Sequence, residues 1–314
     1  GECGIAPMHI AAVTFTNKAA REMKARVAEL LKAERAEGLT VSTFHTLGMR
    51  ILREEHARIG YKRGFTLFDA EDSLSLLREL LKVERSEKAE VLERAQWQIS
   101  AWKSAFIDSE SALKKAEDEQ QRRSARLYLD YERHLKAYNA MDFDDLIARP
   151  ARLLETDGEA REKWQNRLHY LLVDEYQDTN AAQYRLLKLL AGPRAAFTAV
   201  GDDDQSIYSW RGAEPRNLSL LKEDFPTLKV VKLEQNYRSA RRILRVANGL
   251  IAHNPHLVEK KLWSDLPEGD PVRIVPCPDA QQEAERVVTE IVAHKLKMRS
   301  RNGDFAVLYR SNHQ

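Results

Sequence analysis

The chain is poor in the features that would place it quickly. Only two cysteines occur in 314 residues, Cys3 and Cys277, which argues against a disulfide framework and fits a reducing cytoplasm. No apolar run approaches the roughly 20 residues of a membrane span, and no secretory signal pattern is visible. Net charge is nearly absent, since 50 basic residues against 48 acidic ones leave +2. A nucleic-acid partner therefore cannot be argued from overall charge, and any such affinity must come from local placement. Glycine is sparse, and none of the thirteen glycines is followed by lysine. That excludes the phosphate-cradling pattern G-x-x-x-x-G-K-[ST] from this stretch. No internal repeat or low-complexity linker is evident.

What remains is an ordinary globular composition, 43% hydrophobic and 31% charged, with a length that accommodates about two domains. The chain is organised around Leu171 to Gln183, LLVDEYQDTNAAQ, where a short apolar run leads directly into Asp174, Glu175 and Asp178 and then into a helix starting near Thr179 or Asn180. Leu171, Leu172 and Val173 have the character of a strand buried on both faces. Ligands of open α/β sheets lie beyond the carboxyl ends of the strands, so acids there are placed for a metal–nucleotide site. In phosphoryl transfer one such acid holds Mg2+ and a neighbour positions the attacking water, which suits Asp174 and Glu175 respectively. Capping of the following helix is the other reading of the same acids.

Two further segments repeat the arrangement. Ala196 to Val200 is apolar and leads into Gly201-Asp202-Asp203-Asp204-Gln205-Ser206-Ile207-Tyr208-Ser209-Trp210-Arg211-Gly212. Val230 to Leu233 leads into Glu234-Gln235-Asn236-Tyr237-Arg238-Ser239. With DEYQD, GDDDQSIYSWRGA and QNYRS in this order, the chain resembles the Rep, UvrD and PcrA group of superfamily 1 DNA helicases, in motifs II, III and IV.

The rest of the chain alternates in the same way. His9 to Phe15 reads as a strand, followed by a helix with Ala20, Met23, Val27 and Leu30 at helical spacing. Thr14-Phe15-Thr16-Asn17-Lys18 resembles motif Ia. Leu39 to Phe44 is a second strand, and Thr43-Phe44-His45-Thr46 resembles motif Ib. Phe15 is either a stacking face for a base or a core residue, and Thr16 either a phosphate contact or a helix cap. His45 has no second His or Cys nearby at metal-ligand spacing, so zinc is not expected.

From about Asp69 to Tyr138 the pattern is helical, with Leu74, Leu77 and Leu81, then Leu92, Ala95, Ile99, Trp102 and Phe106, then Tyr128, Tyr131, Leu135 and Tyr138. These stripes are read as core. Met141-Asp142-Phe143-Asp144-Asp145 returns to the sheet, and its acids are read as helix caps rather than metal ligands. After Arg238, helices over Ala240 to Ala252 and Gln281 to Lys295 alternate with strands at Val272 to Val275 and Asp304 to Tyr309. The expected fold class is α/β: a RecA-like, P-loop-NTPase-type parallel sheet with an all-helical insertion, plus the start of a second RecA-like domain. The division implied by the resemblance is 1–42 and 151–232 for the first domain, 43–150 for the insertion and 233–314 for a partial second domain.

The resemblance also implies roles. Asp174 and Glu175 would coordinate Mg2+ and activate water, and Gln205 would sense the γ-phosphate of ATP. Tyr237 would stack on adenine and Arg238 would face the γ-phosphate. Phe15, Thr16, Thr43, His45, Tyr208, Trp210, Arg211 and Arg310 would lie along single-stranded DNA. The implied protein is an ATP-dependent, 3′-to-5′ translocase acting on single strands and single-strand/duplex junctions, with replication or repair proteins as partners. This chain is read as a fragment of it, lacking the P-loop and motifs V and VI and so expected to hydrolyse ATP poorly. Two rival readings are a non-catalytic single-strand-binding module and a metal-dependent nuclease built on Asp202-Asp203-Asp204.

Overall fold

The computed structural model describes residues 4–31, 36–81, 89–209, 212–214, 216–256 and 258–309. Two compact units are distinguished, 1–232 with 254–259, and 233–253 with 260–314.

The first unit is built on four parallel strands, β1 (Ile10–Thr14), β2 (Thr40–Thr43), β5 (Tyr170–Val173) and β6 (Phe197–Ala199), in the order β2-β1-β5-β6. Between them in sequence lie the short β3 (Thr66–Leu67) and β4 (Ala140–Met141). The register pairs Thr14 with Thr43, Val13 with Val173, and Val173 with Ala199. All four carboxyl ends therefore fall on one edge of the sheet. Everything the sequence places just after these strands is delivered to that edge.

The helices α1 (Asn17–Leu31), α2 (Phe44–Glu55), α7 (Asp145–Thr156), α8 (Gly158–Arg167), α9 (Ala181–Ala191) and α10 (Asn217–Asp224) follow or precede the strands. Phe44, Leu47 and Ile51 of α2 and Ile147, Ala151 and Leu154 of α7 join Val13, Leu171 and Val173 in one core. Each fully buried aliphatic side chain contributes about 1.5–3 kcal/mol. Helix α2 thus packs on the sheet although it falls within the span 43–150. Helices α2 and α7 come close at Gly48, where an added Cβ would sit 1.7 Å from the Leu146 carbonyl oxygen. That carbonyl has no helical donor four residues on, because Pro150 carries no N–H.

A second module inserts between β3 and β4, whose parallel pairing of Thr66 with Ala140 and Leu67 with Met141 ties its entry to its exit. It contains α3 (Ala70–Leu81), α4 (Ala89–Ser104), α5 (Ser109–Lys114) and α6 (Glu119–Ala137). Leu76, Leu77, Leu92, Ile99, Ala125, Tyr128, Tyr131 and Leu135 form its separate core. The stripes are core as expected, with two exceptions: Phe106 lies past the end of α4 and packs against the sheet core instead, and Tyr138 follows the end of α6 and is 51% exposed. Asp69 caps α3, accepting from the Glu71 and Asp72 N–H groups at 2.8 and 2.9 Å.

Of the acids in the return segment, Asp142 acts as both cap and counter-ion, Asp145 is a counter-ion, and Asp144 at the N-cap of α7 makes no capping side-chain bond. Asp142 accepts from the Asp145 N–H at 2.9 Å. The buried Lys103 ammonium of α4 lies 2.7 Å from Asp142, 2.9 Å from Asp145 and 2.9 Å from Glu132. Burial alone would lower the Lys103 pKa, but the three carboxylates outweigh it and hold it well above the ordinary value.

In the second unit, α11 (Arg241–Ile251) and α12 (Ala280–Met298) form where helices are expected, and Gln235 makes an isolated parallel bridge with Trp263. The strands expected at Val230 to Leu233, Val272 to Val275 and Asp304 to Tyr309 are not realised as ladders. A strand is defined by its neighbour's hydrogen bonds, and among the described residues these segments have no strand beside them. Ile274 and Leu308 accordingly remain 95% and 94% exposed. No helix among the described residues is long and apolar enough to cross a membrane.

Candidate functional site

The strand-end edge begins with Asp174, whose backbone N–H donates to the Val13 carbonyl at 2.9 Å and so continues the pairing of β5 with β1. Glu175 then turns the chain sharply, with φ 50° and ψ 44°. A non-glycine residue in this left-handed region costs on the order of 1–3 kcal/mol and persists only where its surroundings impose it. Tyr176 to Asp178 complete a single tight turn. Helix α9 follows, started by a reciprocal capping box between Asn180 and Gln183. Capping of α9 thus falls to Asn180, leaving Asp174 and Glu175 for other work.

Gln177 is the joint of the site. Its side chain is 1% exposed. The amide nitrogen donates to the Glu175 carboxylate at 2.8 Å, and the amide oxygen accepts from the Asp202 N–H at 3.0 Å. The Asp202 carboxylate in turn accepts from the Gln205 amide at 2.7 Å. A line of hydrogen bonds therefore runs from the loop after β5 to the loop after β6. Gly201 permits the approach, since a Cβ there would lie 2.8 Å from the Gln177 amide oxygen. Sequence reasoning missed Gln177 and gave Asp202 only the rival role of a metal ligand, since no periodicity marks a polar residue that a tight turn carries inward.

Among the described residues, Thr14 Oγ1 at the end of β1 and one carboxylate oxygen of Asp178 are buried at this edge without a hydrogen-bond partner. Burial pushes the Asp178 carboxyl up, and the charge of Glu175 adds to it. Carboxylates such as those of Asp174, Glu175 and Asp178 are the hard oxygen donors that a divalent cation such as Mg2+ takes, but their ligand atoms do not form one of the gathered groups found among the described residues.

Beside these acids lies an aromatic ledge. Phe15, after β1, stacks on Tyr208, with ring centroids 5.2 Å apart and planes 24° from parallel. Thr16 caps α1 by accepting from the Ala19 N–H at 3.1 Å, and Thr43 caps α2 by accepting from the Thr46 N–H at 3.2 Å. His45 is half-buried, and desolvation lowers its pKa, so the imidazole is neutral at pH 7. In the acidic run, Asp204 meets His256 at 3.1 Å, and ligand atoms of Asp203, Asp204 and His256 lie within 4.8 Å of one another.

Tyr237 and Arg238 stand in the second unit. The Asn236 side chain accepts from the Arg238 and Ser239 N–H groups at 2.9 and 2.8 Å, which shapes the turn. Tyr237 is 79% exposed and its hydroxyl donates to Gln235 at 2.8 Å. Trp210, Arg211 and Arg310 lie outside the described residues.

The UvrD/REP helicase N-terminal domain matches residues 1–226, and the UvrD-like helicase C-terminal domain matches residues 231–314. ATP-dependent DNA helicase Rep of Escherichia coli (strain K12) is 53% identical over 312 residues, covering 99% of this chain and 46% of that protein. ATP-dependent DNA helicase PcrA of Staphylococcus epidermidis (strain ATCC 35984) is 43% identical over 314 residues, covering 100% of this chain and 43% of that protein. The chain spans somewhat under half the length of the curated relatives it matches.

Proposed function

The chain belongs to the UvrD/REP helicase family, and on that premise we propose that it is part of an ATP-dependent helicase moving 3′ to 5′ on single-stranded DNA. The observation that carries the reading is the hydrogen-bonded line Glu175–Gln177–Asp202–Gln205, which ends three residues before Tyr208 in its stack with Phe15. Carboxylates suited to phosphoryl transfer and rings suited to bases thus share one sheet edge.

In this reading Asp174 and Glu175 hold Mg2+, which when bound neutralises charge on the phosphates of ATP. Glu175 orients the attacking water and takes its proton, and its left-handed backbone and the Gln177 amide fix the carboxylate for that task. Gln205, able to donate and accept at once, reads the γ-phosphate. Its bond to Asp202 passes a change at the nucleotide into the loop that carries Tyr208. Tyr237 stacks on adenine and Arg238 offers a forked contact to phosphate oxygens. On the DNA side, Phe15, Tyr208 and Trp210 stack on bases, contributing roughly 1–3 kcal/mol per base, and Thr16, Thr43, His45, Arg211 and Arg310 follow the backbone. Residues 1–42 and 151–232 form the first RecA-like domain, 43–150 the insertion and 233–314 the start of the second. The substrates are single strands and single-strand/duplex junctions, and the setting is cytoplasmic replication restart or repair.

The test is Glu175→Gln in the longer parent protein, because this chain carries no P-loop. DNA-stimulated turnover should fall at least a hundredfold, within the range for loss of a general base, while nucleotide affinity is kept. Normal turnover would overturn the assignment.

A further inference from the structure

A cavity of about 550 Å³ opens on the helical module, lined from α3, α4, α6 and the segment after β4. Its chemistry is one-sided. Phe68, Trp97 and Phe143 supply aromatic faces, Asp69, Glu93 and Asp144 supply carboxylates, and no Lys or Arg lines it among the described residues. A fourth acid in the wall, Asp142, is held by Lys103. Trp97 is 62% exposed and Phe143 50%, so two large rings of the lining stand in water. Asp144 is under the opposite stress: burial, with the charge of Asp142 adding to it, pushes its carboxyl up to about 7.

Charge separates the ligands such a pocket can take. A nucleic-acid strand brings phosphates, which the carboxylates repel. A neutral apolar ligand would desolvate Glu93 without pairing it, and would add no partner to Asp69, which caps α3, or to Asp144, which Ser100 bonds. A cation answers both halves of the lining, because ring faces attract it through their quadrupole and carboxylates give it charge-assisted hydrogen bonds. Guanidinium fits better than ammonium, being flat enough to stack, weakly hydrated and forked toward carboxylate. Exposed aromatics that receive an arginine are also the residue types that carry energy in protein interfaces.

We propose that this pocket is a docking point for a protein partner, which inserts an arginine side chain between the aromatic rings and the carboxylates. None of the six residues belongs to the strand-end site, so the assignment stands apart from the DNA reading.

The experiment is a titration of fluorescein-labelled tetra-arginine into this chain, read by anisotropy without nucleotide or DNA. Tetra-arginine should bind and tetra-glutamate should not. Trp97→Ala and Asp144→Asn should each weaken binding at least fivefold, and Glu290→Gln on α12 should leave it unchanged. Glu93→Gln and Phe143→Ala give the same reading should either of the first pair fail to fold. Unchanged binding in the pocket variants, or equal weakening by Glu290→Gln, would overturn the site in favour of diffuse charge attraction. Spermine binding as tightly, with the same dependence on Trp97, would reassign it to free polyamine, and displacement by oligo-dT would reassign it to nucleic acid. Loss of tetra-arginine binding in the full-length parent would mean that another part of the parent fills the pocket, which also overturns the proposal.

Discussion

Replacing Lys103 by Met tests whether the helical module is held to the sheet by a buried ionic joint. The ammonium is enclosed, with Lys103 2% exposed, and Asp145 and Asp142 beside it are 2% and 7% exposed. Glu132, Asp142 and Asp145 face two cations, Lys103 and Arg149, the latter at 3.1 Å from both Glu132 and Asp145. Methionine keeps the volume but leaves three carboxylates to Arg149 alone. Asp142 loses the one cation it pairs with among the described residues and keeps the Tyr131 hydroxyl at 3.1 Å and the Asp145 N–H. Breaking a buried pair from one side costs about 3–5 kcal/mol. Because Arg149 remains and Asp142 can take up a proton, the lower end, about 3 kcal/mol, is expected. The assay is urea unfolding at pH 7 followed by tryptophan fluorescence, with hydrogen exchange to locate the loss in α4 and α6. The deficit should shrink as pH falls, since protonating Asp142 removes the orphaned charge. Adding Asp142→Asn should recover at least about 1 kcal/mol, the kind of coupling expected for residues in contact. A loss below about 1 kcal/mol, with no coupling to Asp142, would refute the joint.

Three further outcomes are expected. Gly48→Ala should destabilise the first unit by more than about 2 kcal/mol in the same assay, because the approach to the Leu146 oxygen outweighs the roughly 1 kcal/mol that alanine gains over glycine in a helix. Gln177→Ala removes one neutral and one charge-assisted hydrogen bond. It should cost about 2–4 kcal/mol and lower ATP turnover of the parent more than its nucleotide affinity, as separate measurements of kcat and binding would read. Asp144 has a folded pKa near 7 against an ordinary 3.8, so the folded state binds more protons between those values and stability declines as pH rises through that window. Asp144→Asn should therefore match the wild type near pH 4 and exceed it at pH 8 in thermal unfolding.

The segments that the sheet delivers to its carboxyl edge were legible in order along the chain. An apolar run ending in Asp174 and Glu175, and another ending in Gly201 to Gln205, state that strands deliver polar groups to one place, because side chains just past a parallel strand have nowhere else to go. Helical periodicity likewise revealed the core stripes of the insertion, since a 3.6-residue repeat of apolar side chains is the imprint of one buried face. Tyr138 broke the pattern because the helix ends one residue earlier and the ring no longer faces the module's core.

Pairing and burial of polar groups were not legible. The strands expected at 272–275 and 304–309 have strand composition but no neighbour among the described residues, and a ladder is a property of two segments. Gln177 and Lys103 look in sequence like solvated residues. Each is buried, and each becomes a joint only because segments 25 and 39 residues away, at Asp202 and Asp142, supply the partners. Local propensity determined where helices form and which segments are able to become strands. Which buried charge meets which, and that the acids and the aromatic ledge share an edge, was decided by the register of the parallel sheet, since a polar group leaves water only where the fold provides its partner.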